Sequence, residues 1–249
     1  MGRRTLASRL RRRSVRIDLP APVISFSFDD APRTAFETGG EVLSKHGARA
    51  TYFVSIGLLG QQTELGQIGG RFNLERAVES GHELGCHTFD HLDAWHCSRR
   101  RFIASVDANQ RALDQILSGR SFRTFAYPKS GARLGVKADL EKRFTCCRGG
   151  GQTLNAGIAD LNLLAACFLD RYAKIDMGYV RDLIDKNTQC RGWLIFVAHD
   201  ISLEASPFGC STRFFADVVR YAAESGARLI PVGQACDLLA QPVIGPRQI

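Results

Sequence analysis

Seven short runs of β-branched, aromatic and small apolar residues alternate with stretches of helical pattern, and this alternation restricts the fold more than any other feature of the chain. The runs are Val23–Phe28, Ala50–Val54, His82–Cys86, Thr124–Ala126, Leu161–Leu169, Trp193–Ala198 and Arg228–Pro231. Helical patterns fall between and after them, at Ala35–His46, Leu74–Ser80, Arg99–Leu117, Lys137–Phe144, Met177–Asn187, Thr212–Ser225 and Gly233–Leu239. Gly47, Gly81, Gly119 and Gly226 stand where four of those helices should close, as C-terminal caps do. Strand and helix in alternation imply a mainly parallel sheet. A length of 249 residues suits one α/β domain with a substantial core.

In such folds the chemistry collects where strands end. The run VISFSFDD carries no charge until Asp29 and Asp30 arrive together. Two adjacent carboxylates at the mouth of a buried strand are costly unless a cation sits between them. His87 and His91, in HTFDH, supply the other half of a site, and their spacing of four predicts both imidazoles on one face of a helical turn. Two neutral histidines and one carboxylate suit a catalytic Zn²⁺ or another divalent metal. A third strand-end cluster closes IFVAHD at His199 and Asp200, so three of the six histidines occupy such positions.

SFDD, HTFDH, FAYP at Phe125–Pro128 and VAH at Val197–His199, with ATYFVS at Ala50–Ser55 and GHELGCHTFDH at Gly81–His91, resemble the polysaccharide deacetylases of carbohydrate esterase family 4, the NodB-homology domain. The resemblance runs from about Val23 to Leu239. It implies a distorted (β/α) barrel of about seven strands and a metal-dependent hydrolase that removes N-acetyl groups from an amino-sugar glycan or oligosaccharide, as a chitooligosaccharide deacetylase does. It implies Asp29 as catalytic base, Asp30, His87 and His91 as ligands of a divalent metal, Zn²⁺ above others, and His199 as general acid. The chemistry agrees: a divalent cation acidifies water and polarises an amide carbonyl, and an imidazole with an ordinary pKa near ~6.5 can protonate a departing amine.

The loop Tyr127-Pro128-Lys129 departs from the family pattern, which has an Arg before the Pro and a Tyr after it. The backbone N–H of Lys129 can still serve an oxyanion, since that role needs no particular side chain. Ala126, however, replaces the Arg that orients the base. Arg171, in FLDRYAKID, is the candidate to replace it from a neighbouring strand end, against the plainer reading of a surface Arg beside Asp170. The family's further Asp motif has two candidates, Asp170 and Asp176. Arg148-Gly149-Gly150-Gly151 reads as a flexible loop, because no G-K-[ST] follows it.

The formal charge of +8 sits almost wholly at one end: the first 16 residues hold seven arginines and no acid, leaving +1 for the rest. We therefore expect a basic, disordered arm over residues 1–20 and a catalytic domain over 21–249, with no nucleic-acid partner. The arm would touch an anionic membrane at about 1 kcal/mol per basic residue. Without a long apolar core near the start, the chain reads as cytoplasmic, peripheral at most to the inner membrane face. The eight cysteines lack C-x-x-C spacing and read as reduced thiols, Cys86 being turned away from the metal ligands. Competing classes are a metal-dependent amide or ester hydrolase on a small molecule, an Fe(II) oxygenase on the same ligands, and a non-catalytic carbohydrate-binding relative. Asp29 beside the metal favours hydrolysis.

Overall fold

The computed structural model describes Ala7 and residues 9–240. In chain order the strands are β1 (Ser14–Ile17), β2 (Val23–Asp29), β3 (Ala50–Val54), β4 (Gln62–Thr63), β5 (Gly66–Gln67), β6 (Glu83–Cys86), β7 (Thr124–Ala126), β8 (Cys146–Arg148), β9 (Gly157–Asp160), β10 (Cys167–Phe168), β11 (Trp193–Ala198) and β12 (Arg228–Leu229). Seven of them form a parallel sheet in the order β10-β11-β2-β3-β6-β7-β8, which curls into a half-barrel. β12 pairs with Val23 and Ile24, while β3 takes the upper part of β2 from Phe26 to Asp29. The distorted barrel expected from the sequence is the fold observed.

Strand alternation sorts the side chains into two clusters. Val23, Phe53, Ala126, Cys146, Trp193, Ile195 and Val197 belong to one; Ile24, Phe26, Phe28, Tyr52, Val54, Phe196 and Ala198 belong to the other, packed with residues of the surrounding helices. β2, β3 and β11 are buried along their full length, as strands covered on both faces must be. The parity has a direct consequence for function. Counting in twos from the first cluster reaches Asp29 on β2, Arg148 on β8 and His199 just past β11, and His87 follows Cys86 of the second cluster and so takes the opposite side.

Helix boundaries follow local chemistry. Ser98, Asp176 and Ser211 each accept a backbone N–H in the first turn of the helices Arg99–Ile116, Met177–Cys190 and Thr212–Glu224. The four expected glycine caps all have positive φ, Gly47 at 63° and Gly226 at 77° among them.

Two sequence expectations need correction here. Leu161–Leu169 is not one strand. The Leu164 N–H donates to Cys147 on β8 and its carbonyl accepts from Gly149 just past β8, while the Leu169 N–H donates to Val197, so this segment spans the opening between the two sheet edges. The Asn155 side chain takes the Ala165 N–H and carbonyl midway, which breaks the ladder. Nor is the whole basic arm loose. β1 pairs antiparallel with β9, and the Arg13 guanidinium donates to the carbonyls of Glu141, Phe144, Thr145 and Leu161. Buried Lys137 bonds to the carbonyls of Ala7 and Leu10 and to Asp160 at 2.9 Å. Charge counting missed this because the partners are mostly carbonyls, which carry no formal charge. Arg3 and Arg4 lie outside the described residues; Arg9, Arg11, Arg12 and Arg16 are exposed.

Candidate active site

β2 ends at Asp29, and the chain then turns through two consecutive left-handed residues, Asp30 at φ 57° and Ala31 at φ 51°. This departure from strand geometry lets neighbouring carboxylates share one cleft, since in a continuing strand they would face opposite ways. The cleft holds about 530 Å³ and is lined by Asp29, Asp30, His87, His91, Lys129 and His199, with Phe168, Asp170, Tyr172, Phe208, Glu64 and Leu65 among its walls.

Asp30, His87 and His91 offer ligand atoms within 4.8 Å of one another. The Asp30 Oδ1 is 4.0 Å from His87 Nε2 and 3.6 Å from His91 Nε2, and it is buried without a hydrogen-bond partner. His87 Nδ1 lies 2.8 Å from the Ala126 carbonyl, which can only accept; the ring therefore carries its proton there and turns the Nε2 lone pair toward Asp30. Burial pushes the Asp30 carboxyl up to about 6 and His87 down to about 3, and it lowers His91 as well. A cation among them would reverse the penalty on Asp30 and match the neutral imidazoles. An orphaned carboxylate oxygen facing two imidazole nitrogens therefore fits a divalent metal.

The spacing of His87 and His91 does not arise from a helix, contrary to the sequence expectation. Residues 87–91 form an irregular loop with Thr88 at φ 63° and His91 at φ 50°. Ser105, from the helix Arg99–Ile116, holds it through the Phe89 and Asp90 N–H groups and the Asp90 carboxylate. The left-handed residues bring the rings to a centroid distance of 5.0 Å. Cys86 is buried as expected; it accepts from Asn109 Nδ2 at 3.3 Å, and burial pushes its thiol up to about 12.

Asp29 is paired with Arg148, not with Arg171. The Arg148 side chain is fully buried, with its guanidinium 5.2 Å from the Phe53 ring centroid and 5.7 Å from that of Phe168. Burial raises the Asp29 carboxyl, but the positive charge of Arg148 and its hydrogen bond, with smaller contributions from neighbouring side chains, more than offset this and hold it below the ordinary range. Arg171 instead donates to the Ala205 carbonyl at 2.9 Å. The physical reason is strand parity: Arg148 is two residues beyond inward-facing Cys146, beside small, buried Ala126, whereas Arg171 lies past the end of β10 on the rim. The expected flexible loop at 148–151 thus begins with a buried strand residue. The available signal was an Arg closing a short apolar run before glycines, in the strand-end position that marks the other site residues.

His199 Nδ1 is 3.0 Å from the Phe208 carbonyl, leaving Nε2 as its second polar atom. Phe168 was missed in the sequence. Its ring lies 6.4 Å from that of His199 at 24°, and the Gln152 side chain bonds to both its N–H and its carbonyl. Phe168 thereby packs between Arg148 and His199. In the Tyr127-Pro128-Lys129 loop only Lys129 lines the cleft, with φ 56°. Tyr127 and Pro128 are buried, and the Tyr127 hydroxyl donates to the Asn162 carbonyl, so these two shape the loop from behind. Of the two further aspartates, Asp170 lines the cleft and Asp176 caps the helix Met177–Cys190.

The family model described as Polysaccharide deacetylase matches residues 16–142. That span includes Asp29, Asp30, His87, His91 and Lys129 but ends before Arg148 and His199. A chitooligosaccharide deacetylase of Sinorhizobium fredii is 30% identical over 109 residues, 43% of this chain. The match spans 47% of that relative's length. Among solved structures, peptidoglycan deacetylase PdaC from Bacillus subtilis aligns with a TM-score of 0.59 at 17% identity, covering 90% of this chain and 94% of that one. A family 4 acetyl xylan esterase from Clostridium thermocellum, in complex with a cobalt ion, aligns with a TM-score of 0.62 at 17% identity, covering 88% and 93%. At these identities the two structures establish a shared fold.

Proposed function

The chain belongs to the polysaccharide deacetylase family, and on that premise we propose that it hydrolyses the N-acetyl groups of an amino-sugar glycan or oligosaccharide with the help of a divalent metal. The observation that carries this reading is the convergence, in one cleft, of an Arg-paired carboxylate, an orphaned carboxylate facing two imidazoles, and a third imidazole. Asp30, His87 and His91 would hold the metal, with Zn²⁺ the best match to two nitrogens and one oxygen. When bound, the metal supplies Lewis acidity, polarising the acetyl carbonyl and acidifying water.

Asp29, held below the ordinary carboxyl range, is ionised at neutral pH and takes the proton of the attacking water. Arg148 keeps that carboxylate oriented, and its charge offsets the cost of the carboxylate's burial. The Lys129 backbone N–H donates to the oxygen that becomes negative when water adds to the carbonyl carbon. His199 enters the reaction as imidazolium. Its Nδ1–H stays on the Phe208 carbonyl, while the Nε2–H passes to the sugar nitrogen as the carbon–nitrogen bond breaks. The products are acetate and the free amine, and Asp29 and His199 return to their starting states by proton exchange with water.

The test is acetate release from N-acetylglucosamine oligomers by protein stripped of metal and then reloaded, alongside the His87→Ala variant. We expect activity to follow stoichiometric metal content and both to be lost in the variant. Full metal retention by His87→Ala would remove it from the ligand set, and the absence of acetate release by the reloaded protein would overturn the activity. We further propose that exposed Arg9, Arg11, Arg12 and Arg16 can meet an anionic membrane surface, a contact that added salt should weaken.

A further inference from the structure

The cleft wall beside His199 is made of aromatic rings that lead outward. Phe208 meets the His199 ring at 6.2 Å and 62°, and Tyr172 stacks on Phe208 at 6.4 Å and 23°. The two loops that carry these rings are tied to each other. The Tyr172 N–H donates to the Pro207 carbonyl at 2.9 Å and the Arg171 N–H to that of Gly209 at 3.1 Å. The Arg171 guanidinium adds its bond to Ala205, which gives this residue a framing role in place of the one expected from the sequence. Asp200 completes the frame through the Ser206 N–H and hydroxyl.

On this braced support Tyr172 is nevertheless 76% exposed. A large aromatic ring backed by a second ring and left open to solvent at the rim of a cleft is an unfilled contact surface. The apolar C–H face of a sugar ring suits such a platform, while the phenol hydroxyl stays with water. The unit that loses its acetyl group must set its nitrogen at His199, whereas Tyr172 reaches that imidazole only through the intervening Phe208 ring and is itself open to solvent. We propose that Tyr172 is a specificity-determining residue that stacks on the sugar next to the reacting one, so that the enzyme selects oligosaccharides over single amino sugars. The inference rests on the deacetylase reading above and names the substrate class for it.

The test compares kcat/KM for acetate release from N-acetylglucosamine and from its dimer and tetramer, in the native protein, Tyr172→Ala and Tyr172→Trp. The native protein should favour the tetramer over the monomer. Tyr172→Ala should lower that ratio by about three- to tenfold, the scale of one aromatic contact, and Tyr172→Trp should keep it. A second readout needs no turnover: the emission of the indole in Tyr172→Trp should shift on adding the tetramer and not on adding the monomer. Turnover of all three substrates with an unchanged ratio in Tyr172→Ala would overturn this inference alone. No acetate from any of them would overturn the deacetylase reading and this inference together.

Discussion

Replacing Arg148 by Met removes a buried cation and keeps most of its apolar stem, so the loss falls on Asp29. The Arg148 side chain is fully buried and the Asp29 side chain 5% exposed, and no other cationic side chain is bonded to that carboxylate among the described residues. Breaking a buried ion pair from one side costs about 3–5 kcal/mol, because the remaining charge has neither water nor partner. For a domain of this size each kcal/mol moves Tm by about 2–4 °C, so the midpoint should fall by roughly 6–20 °C. The freed carboxylate would also lose its orientation, and kcat should drop by about 10²-fold. The double variant Arg148→Met, Asp29→Asn should recover most of the lost stability, since neither charge is then buried alone, and none of the activity. Arg171→Met forfeits a single bond to a carbonyl, worth about 0.5–1.5 kcal/mol. Thermal denaturation followed by circular dichroism, with acetate release on the same samples, reads every arm. A Tm shift under about 2 °C in Arg148→Met, or a double variant no more stable than the single one, would refute the pairing argument.

Asp29→Asn and His199→Ala should each lower kcat by about 10²–10⁴ while the protein still retains its metal; near-normal turnover would exclude that residue from the mechanism. His82 accepts the Ala50 N–H through Nδ1, and burial, with the nearby Arg49 charge, pushes it down to about 4. Because the unfolded chain takes up that proton first, near ~6.5, the stability tied to neutral His82 is complete above that value and declines as pH falls toward 4. His82→Phe should flatten the pH dependence of the urea midpoint across this window, and an unaltered slope would show that other groups set it. Deleting residues 1–16 removes Arg13 and most of β1 and uncovers Lys137, so the truncated chain should melt several degrees lower or fail to accumulate in soluble form. An unchanged Tm would return the segment to the status of a loose arm.

The residues proposed as metal ligands and as base and acid could be picked out in the sequence because each is placed locally. Val23–Phe28, Ala50–Val54 and Trp193–Ala198 are recognisable as strands from their own residues, and strand ends are where an α/β fold places polar chemistry. Asp29, Asp30, His87, His91 and His199 all lie within a few residues of such ends. Their loop geometry was not legible, since a four-residue histidine spacing reads the same on a helix and on a loop with left-handed residues at Thr88 and His91. The partner of Asp29 was beyond any local rule. Arg148 lies 119 residues away in the chain and four strands away along the sheet, from β2 through β3, β6 and β7 to β8. It reaches the carboxylate only because the sheet curls and brings its far edge across the barrel interior, where Phe53 and Phe168 flank the guanidinium. Arg13 and Lys137 give the same lesson: their partners are carbonyls and a carboxylate supplied by distant segments. Residue periodicity fixes which way a side chain faces within its own strand, but which charge it meets depends on strand order and curvature, and these are decided only when the whole barrel assembles.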